Sequence, residues 1–125
     1  LKFGGLMDER LEKALDFSNY MVTLNNQKRI LREKFRESVV YYYRGSQFTV
    51  TKELMTFVNL LVDKDNTEDI VLIDDNETPV MIDNLAELLN EILDTYFSAA
   101  NEYHAEYQKL LKNRSTAKLV EYEQE

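Results

Sequence analysis

Apolar and aromatic residues recur at Ala14, Phe17, Met21, Leu24, Leu31, Phe35 and Tyr42, a spacing of three and four residues interrupted only by Lys28 and Ser38. With neither proline nor glycine from Asp8 to Arg44, this periodicity predicts one long amphipathic helix that ends at Gly45-Ser46. Thr49-Val50-Thr51 then offers hydroxyl caps for a short helix whose apolar positions Leu54, Phe57, Val58, Leu61 and Val62 share a face. The polar run Asp63 to Glu68 ends it. Ile70-Val71-Leu72-Ile73 and Val80-Met81-Ile82 are rich in β-branched residues, and the turn-forming composition of residues 74–79 between them predicts a hairpin. A lone two-stranded hairpin is marginal, so it must pack on the helices or find strands in another copy. Asp83 is the expected cap of a last long helix, in which Leu85, Leu89, Ile92, Tyr96, Ala99, Tyr103 and Leu110 keep the helical spacing.

Each long stripe covers roughly 25 to 28 residues, or about 40 Å at 1.5 Å per residue, so the two predicted helices match in length. The fold class that follows is mainly α (α+β): two long antiparallel helices with a small head of one short helix and a β-hairpin. Antiparallel pairing brings the basic run Lys28, Arg29, Arg32 and Arg36 toward Glu87, Glu91, Asp94 and Glu102, and this predicts a charged seam within the chain. The expected organisation is a single helical domain over residues 7–120 with its head at 46–82, and a frayed tail at 121–125. Residues 1–6 lack helical periodicity. Gly-Gly-Leu-Met can be encoded as GGAGG followed closely by ATG, the form of a bacterial ribosome-binding site, so residues 1–6 read as a leader or flexible tail and Met7 as the start.

Composition narrows the function classes. With 125 residues and 44% hydrophobic content the chain can fill one modest core. Its 23 acidic residues against 15 basic ones give a net charge of −8, which opposes a general electrostatic grip on nucleic acid or anionic membrane. No apolar run reaches the roughly 18 residues of a membrane-spanning helix. Without cysteine there is no disulfide, thiol nucleophile or cysteine-based zinc site, and a cytoplasmic location is expected.

Acidic clusters are the first candidates for chemistry. Asp8-Glu9-Arg10-Leu11-Glu12 and Glu91-Ile92-Leu93-Asp94 resemble the magnesium-binding segments of all-α nucleotide pyrophosphohydrolases, in which Glu12, Glu91 and Asp94 would converge on a metal. The span between the two segments is longer than that family's helical hairpin, and acidic residues in a first helical turn need no metal to explain them. Asp63, Asp65, Thr67, Asp69 and Asp74 follow an EF-hand count, but Glu68 replaces the turn glycine and Asp74 the bidentate glutamate. The single histidine, His104, lacks the Glu-x-x-His spacing of a bundle metal site, and no phosphate-binding glycine loop occurs. The expectation is therefore no enzyme, no metal and no cofactor.

Eight tyrosines remain, three of them consecutive at Tyr41, Tyr42 and Tyr43, with Phe48 nearby. On a helix three consecutive residues spread over about 200°, so at least one must face solvent or a partner. These four residues form the candidate interface. Base stacking helped by Arg44 and Lys52 is the alternative use of the same corner. Residues 7–17, 25–31 and 71–80 resemble a small protein family encoded by T4-like phages of marine cyanobacteria, a likeness that extends to about Val120. The resemblance implies a phage product made in the cytoplasm of a bacterial host, and it brings no activity with it. A non-enzymatic protein-protein interaction or assembly module is the function expected, with a second copy or another phage or host protein as partner, and neither membrane nor nucleic acid.

Overall fold

The computed structural model describes residues 2–113, with side chains from Asp8 onward. It is mostly helical, with three helices and two small antiparallel sheets in the order α1 (Lys2–Ser38), β1 (Val40–Tyr43), β2 (Ser46–Thr49), α2 (Lys52–Asp63), β3 (Glu68–Ile73), β4 (Pro79–Asn84) and α3 (Leu85–Leu111). Two compact units make up the chain, residues 1–33 with 103–125 and residues 34–102. The predicted tail at 121–125 lies outside the described residues.

Three expectations about the elements are corrected. Helix α1 begins at Lys2 rather than Asp8, so the helix runs through Gly4 and Gly5. Two glycines cost such a helix only about 1 kcal/mol each. At its other end α1 stops at Ser38, and the next eleven residues form a hairpin that the helical reading missed. Val39, Val40 and three tyrosines are better accommodated on a pleated strand than in a helix. Arg44 and Gly45 then both take positive φ, 50° and 87°, which is the backbone a tight two-residue hairpin turn requires. Finally, the cap of α3 is Asn84, whose Oδ1 accepts from the Glu87 N–H at 3.2 Å, while Asp83 is engaged with Arg44 instead.

The other predicted elements stand where the sequence puts them. Thr51 caps α2, its Oγ1 accepting from the Leu54 N–H at 3.0 Å. Val71 faces Met81 and Ile70 faces Ile82 across the β3–β4 hairpin. Its turn is held by Asp74, whose Oδ1 accepts from the Asn76 and Thr78 N–H groups.

In the unit of residues 34–102 the core gathers Val39, Phe48 and Val50 from the first hairpin, Val58 from α2, Leu72 and Ile82 from the second, and Leu85, Leu88, Leu89, Ile92 and Ala99 from α3. Phe35 meets Tyr96 edge to face at 6.2 Å, and Lys34 pairs with Glu102 at 3.2 Å, so α1 and α3 run antiparallel there. The other unit is thinner. Leu24, Leu31 and Leu110 are its buried apolar residues, flanked by Tyr20, Tyr103 and Tyr107. Within it Tyr20 donates to the Asn113 carbonyl at 3.1 Å and Lys28 lies over the Tyr107 ring at 5.6 Å, again an antiparallel course.

The predicted ion pairs of the charged seam are not among the observed ones. Lys34 takes Glu102, Lys28 takes an aromatic face, and Arg29 pairs along its own helix with Glu33 at 2.9 Å. Arg32 and Arg36 are exposed and make no ion pair with a described residue.

Candidate functional site

Strand alternation decides where the tyrosine corner points. Tyr41 and Tyr43 turn toward the core, Tyr42 turns away with 63% of its surface exposed, and Phe48, directly opposite Tyr41, is buried to 3%. Phe48 is therefore core rather than interface, and only Tyr42 of the four predicted residues is a free surface ring. The helical argument requires at least one of the three to face solvent or a partner, and the pleat exposes Tyr42 for a different reason.

The two inward tyrosines keep their polar ends satisfied. Tyr41 donates its hydroxyl to Glu91 of α3, while the Tyr43 oxygen accepts from the Asp83 N–H at 3.4 Å. Arg44 stacks over the Tyr43 ring at 5.0 Å and pairs with Asp83, whose hydrogen bond and charge hold the guanidinium pKa above its ordinary value. Together with Asn84, Glu87 and Leu88 these groups line a recess of about 310 Å³. Its polar lining is phenols, three carboxylates and a guanidinium already paired. A nucleic-acid strand stacked on Tyr42 would bring its phosphates against Asp83, Glu87 and Glu91, the wrong sign for that reading.

Below this corner Asp75 ties the second hairpin to the first. Its backbone N–H donates to the Gln47 carbonyl at 2.9 Å, and its carboxylate accepts from Thr49 N–H, Thr49 Oγ1 and Gln47 Nε2 at 3.0, 2.6 and 3.1 Å. Burial, which by itself would raise the carboxyl pKa, is outweighed by the two bonds from Thr49 and the one from Gln47, so the pKa falls below the usual value.

Of the hydrolase residues, Glu91 and Asp94 share α3, and Glu91 already accepts from Tyr41. In the calcium count Asp63 closes α2, Asp69 lies in β3, and Asp74 is turned onto the amides of its own loop. Among the described residues no three His, Cys, Asp or Glu side chains are grouped to hold a metal ion. His104 is exposed on α3.

What the structure does leave in water is apolar. The outer face of β3–β4 presents Val71, Ile73 and Met81, each at least half exposed. On α1 the residues from Asp8 to Asn19 are all exposed, including Leu11, Leu15 and Phe17, and so are Met21 and Val22. Between α2 and α3 a groove of about 540 Å³ is walled by Met55, Leu89, Leu93, Tyr96 and the half-exposed Phe97. The sequence reading names the hairpin's outer face but assigns Ala14, Phe17 and Met21 to a covered stripe; the structure leaves all three exposed. No helix among the described residues is long and apolar enough to cross a membrane. No protein-family model matches the chain, and no curated protein or solved structure is significantly similar to it.

Proposed function

We propose that this chain is a non-enzymatic protein-protein interaction or assembly module. One observation carries the reading: most of its exposed large apolar residues fall on two elements, α1 and the β3–β4 hairpin. Leu11, Leu15, Phe17 and Val22 share α1, and Val71, Ile73 and Met81 share one side of a hairpin. Single exposed apolar residues are ordinary on any protein surface, but contiguous apolar faces mark contact sites. The antiparallel course of α1 and α3 within each unit fits the two-helix plan with a small head. We propose that the module works in a bacterial host cell, a reading supported by the phage resemblance of residues 7–17, 25–31 and 71–80 alone.

The test uses stability and association together. Val71→Lys with Met81→Glu sets opposite charges directly across the hairpin, a pairing the sheet tolerates. Leu15→Glu does the same service on α1. Free faces predict that each variant changes the unfolding free energy of dilute protein by less than about 1 kcal/mol, as surface substitutions do, and that association seen by sedimentation falls in at least one of them. If both variants lose stability as core substitutions do, the faces are internal and the reading falls.

A further inference from the structure

The groove between α2 and α3 differs in charge from the rest of this acidic surface. Both helices belong to the unit of residues 34–102, and their facing sides bring Met55 of α2 opposite Leu89, Leu93, Tyr96 and Phe97 of α3. Leu89 is buried, Met55, Leu93 and Tyr96 are half-buried, and Phe97 stands out at 56% exposure with its ring set edge to face on Tyr96 at 5.7 Å. The volume of about 540 Å³ lies within the range of small-molecule sites.

Its polar edge lies on α2 alone. Lys52, Thr56 and Asn59, all exposed, follow one another at helical spacing beside the apolar walls. In a chain with 23 acidic residues, no carboxylate lines this groove. Helix geometry gives the reason: at 100° per residue Glu87, Glu91 and Asp94 point roughly 110° or more away from the mean direction of the lining residues of α3, and Glu53 does the same on α2. Asp63 does share the groove side of α2, but about 16 Å along the helix from Lys52. Lys52 itself makes no ion pair with a described residue. The cation at one end and the carboxylate beyond the other set the sense of an occupant.

We propose that this groove binds a free long-chain carboxylate, its acid group at Lys52 and its alkyl chain along Met55, Leu93 and Phe97. This goes beyond the interaction-module reading and does not depend on it. The walls call for an apolar body, and one unpaired lysine at one end calls for a single anionic head. A protein partner fits less well. With Leu89 buried and three other wall residues half-buried, the apolar surface still free is far short of the roughly 800 Å² per partner of a specific interface. An anionic bilayer surface is opposed by the net charge of −8, which leaves the single chain as the occupant.

Decanoate titrated into the full chain should bind with a dissociation constant of about 1 mM or tighter, and should shift the NMR signals of Met55, Leu93 and Phe97. Each further buried methylene is worth about fourfold in affinity, so dodecanoate should bind about fifteenfold more tightly. Lys52→Glu should weaken decanoate by about fivefold or more while decanol, which lacks the charge, stays within about twofold. Phe97→Glu, at an exposed position of the wall, should weaken both by at least about tenfold. Leu15→Glu and the pair Val71→Lys with Met81→Glu should bind decanoate as the wild type does. Unchanged decanoate binding by Lys52→Glu would overturn the assignment of the acid, and shifts centred on the hairpin or on α1, or no binding at about 1 mM, would overturn the site. Anionic phospholipid vesicles bound in preference to free decanoate would overturn the free acid as ligand. The interaction-module reading is tested by stability and association, so the two can fail separately.

Discussion

The two compact units solve the same burial problem with unequal means. In residues 34–102 eleven buried apolar side chains from two hairpins, α2 and α3 enclose one another; in residues 1–33 with 103–125 the described buried apolar set is Leu24, Leu31 and Leu110, along one seam. A core closed on several sides can be stable by itself. A two-helix seam cannot close, since each helix keeps most of its circumference in water, and α1 spends that circumference on apolar residues over Leu11 to Val22. The difference teaches which unit closes its core on several sides and which leaves apolar residues in water.

The largest effect that would sharpen this contrast is at Ile82, fully buried in β4. Ile82→Ala should cost about 3–4 kcal/mol in urea unfolding, through lost transfer energy and an unfilled cavity. Leu110→Ala removes an equally buried residue from the thinner unit, and about 2–3 kcal/mol is expected there. Hydrogen exchange should show the loss of protection confined to residues 20–33 and 103–111, with the second unit unaffected. Uniform loss across both units would mean that they unfold as one and would break the comparison.

A smaller effect concerns the tie between the hairpins. Since the folded pKa of Asp75 lies below its unfolded value near 3.8, the carboxylate stabilises the fold above that value, and the contribution is lost as pH falls through the lower, folded pKa. Asp75→Asn should therefore cost about 1 kcal/mol or less at pH 7, the bonds being discounted for their exposure to water. The variant should also lose less stability than wild type between pH 4 and pH 2. An unchanged acid limb in thermal melts would remove Asp75 from the account. Smallest of all is Lys34→Ala, which breaks a half-exposed ion pair with Glu102 and should change stability by no more than about 0.5 kcal/mol.

How much of this was legible in the sequence follows from which signals are local. Thr51 as a cap, the apolar face of α2, the β3–β4 hairpin and the long α3 all rest on contacts within a few residues, and each was readable. The β1–β2 hairpin was not read because Phe35 and Tyr42 keep a helical spacing by coincidence; the run of Val39, Val40 and three aromatics, followed by Arg44-Gly45, carried the opposing signal. Without that hairpin, Phe48 could not be seen as the residue opposite Tyr41 and so as core. The exposure of Phe17 and Met21 was beyond local reasoning. An apolar stripe has the same appearance in the sequence whether or not another element covers it.

The Asp75 contacts have a kinetic side. Each hairpin joins residues a few positions apart and can zip within about 1–10 μs. The bonds from Asp75 to Thr49 join residues 26 apart and close a loop that contains all of α2. Such a clasp forms only after both hairpins exist, because its donors lie on β2 and its acceptor lies in the turn of the other. Loosening it, for instance with Thr49→Val, locates its closure: a clasp that closes after the folding barrier leaves the folding rate nearly unchanged and speeds unfolding, whereas one that closes before it slows folding. In the first case the clasp sets how long the second unit stays folded; in the second, how fast it gets there.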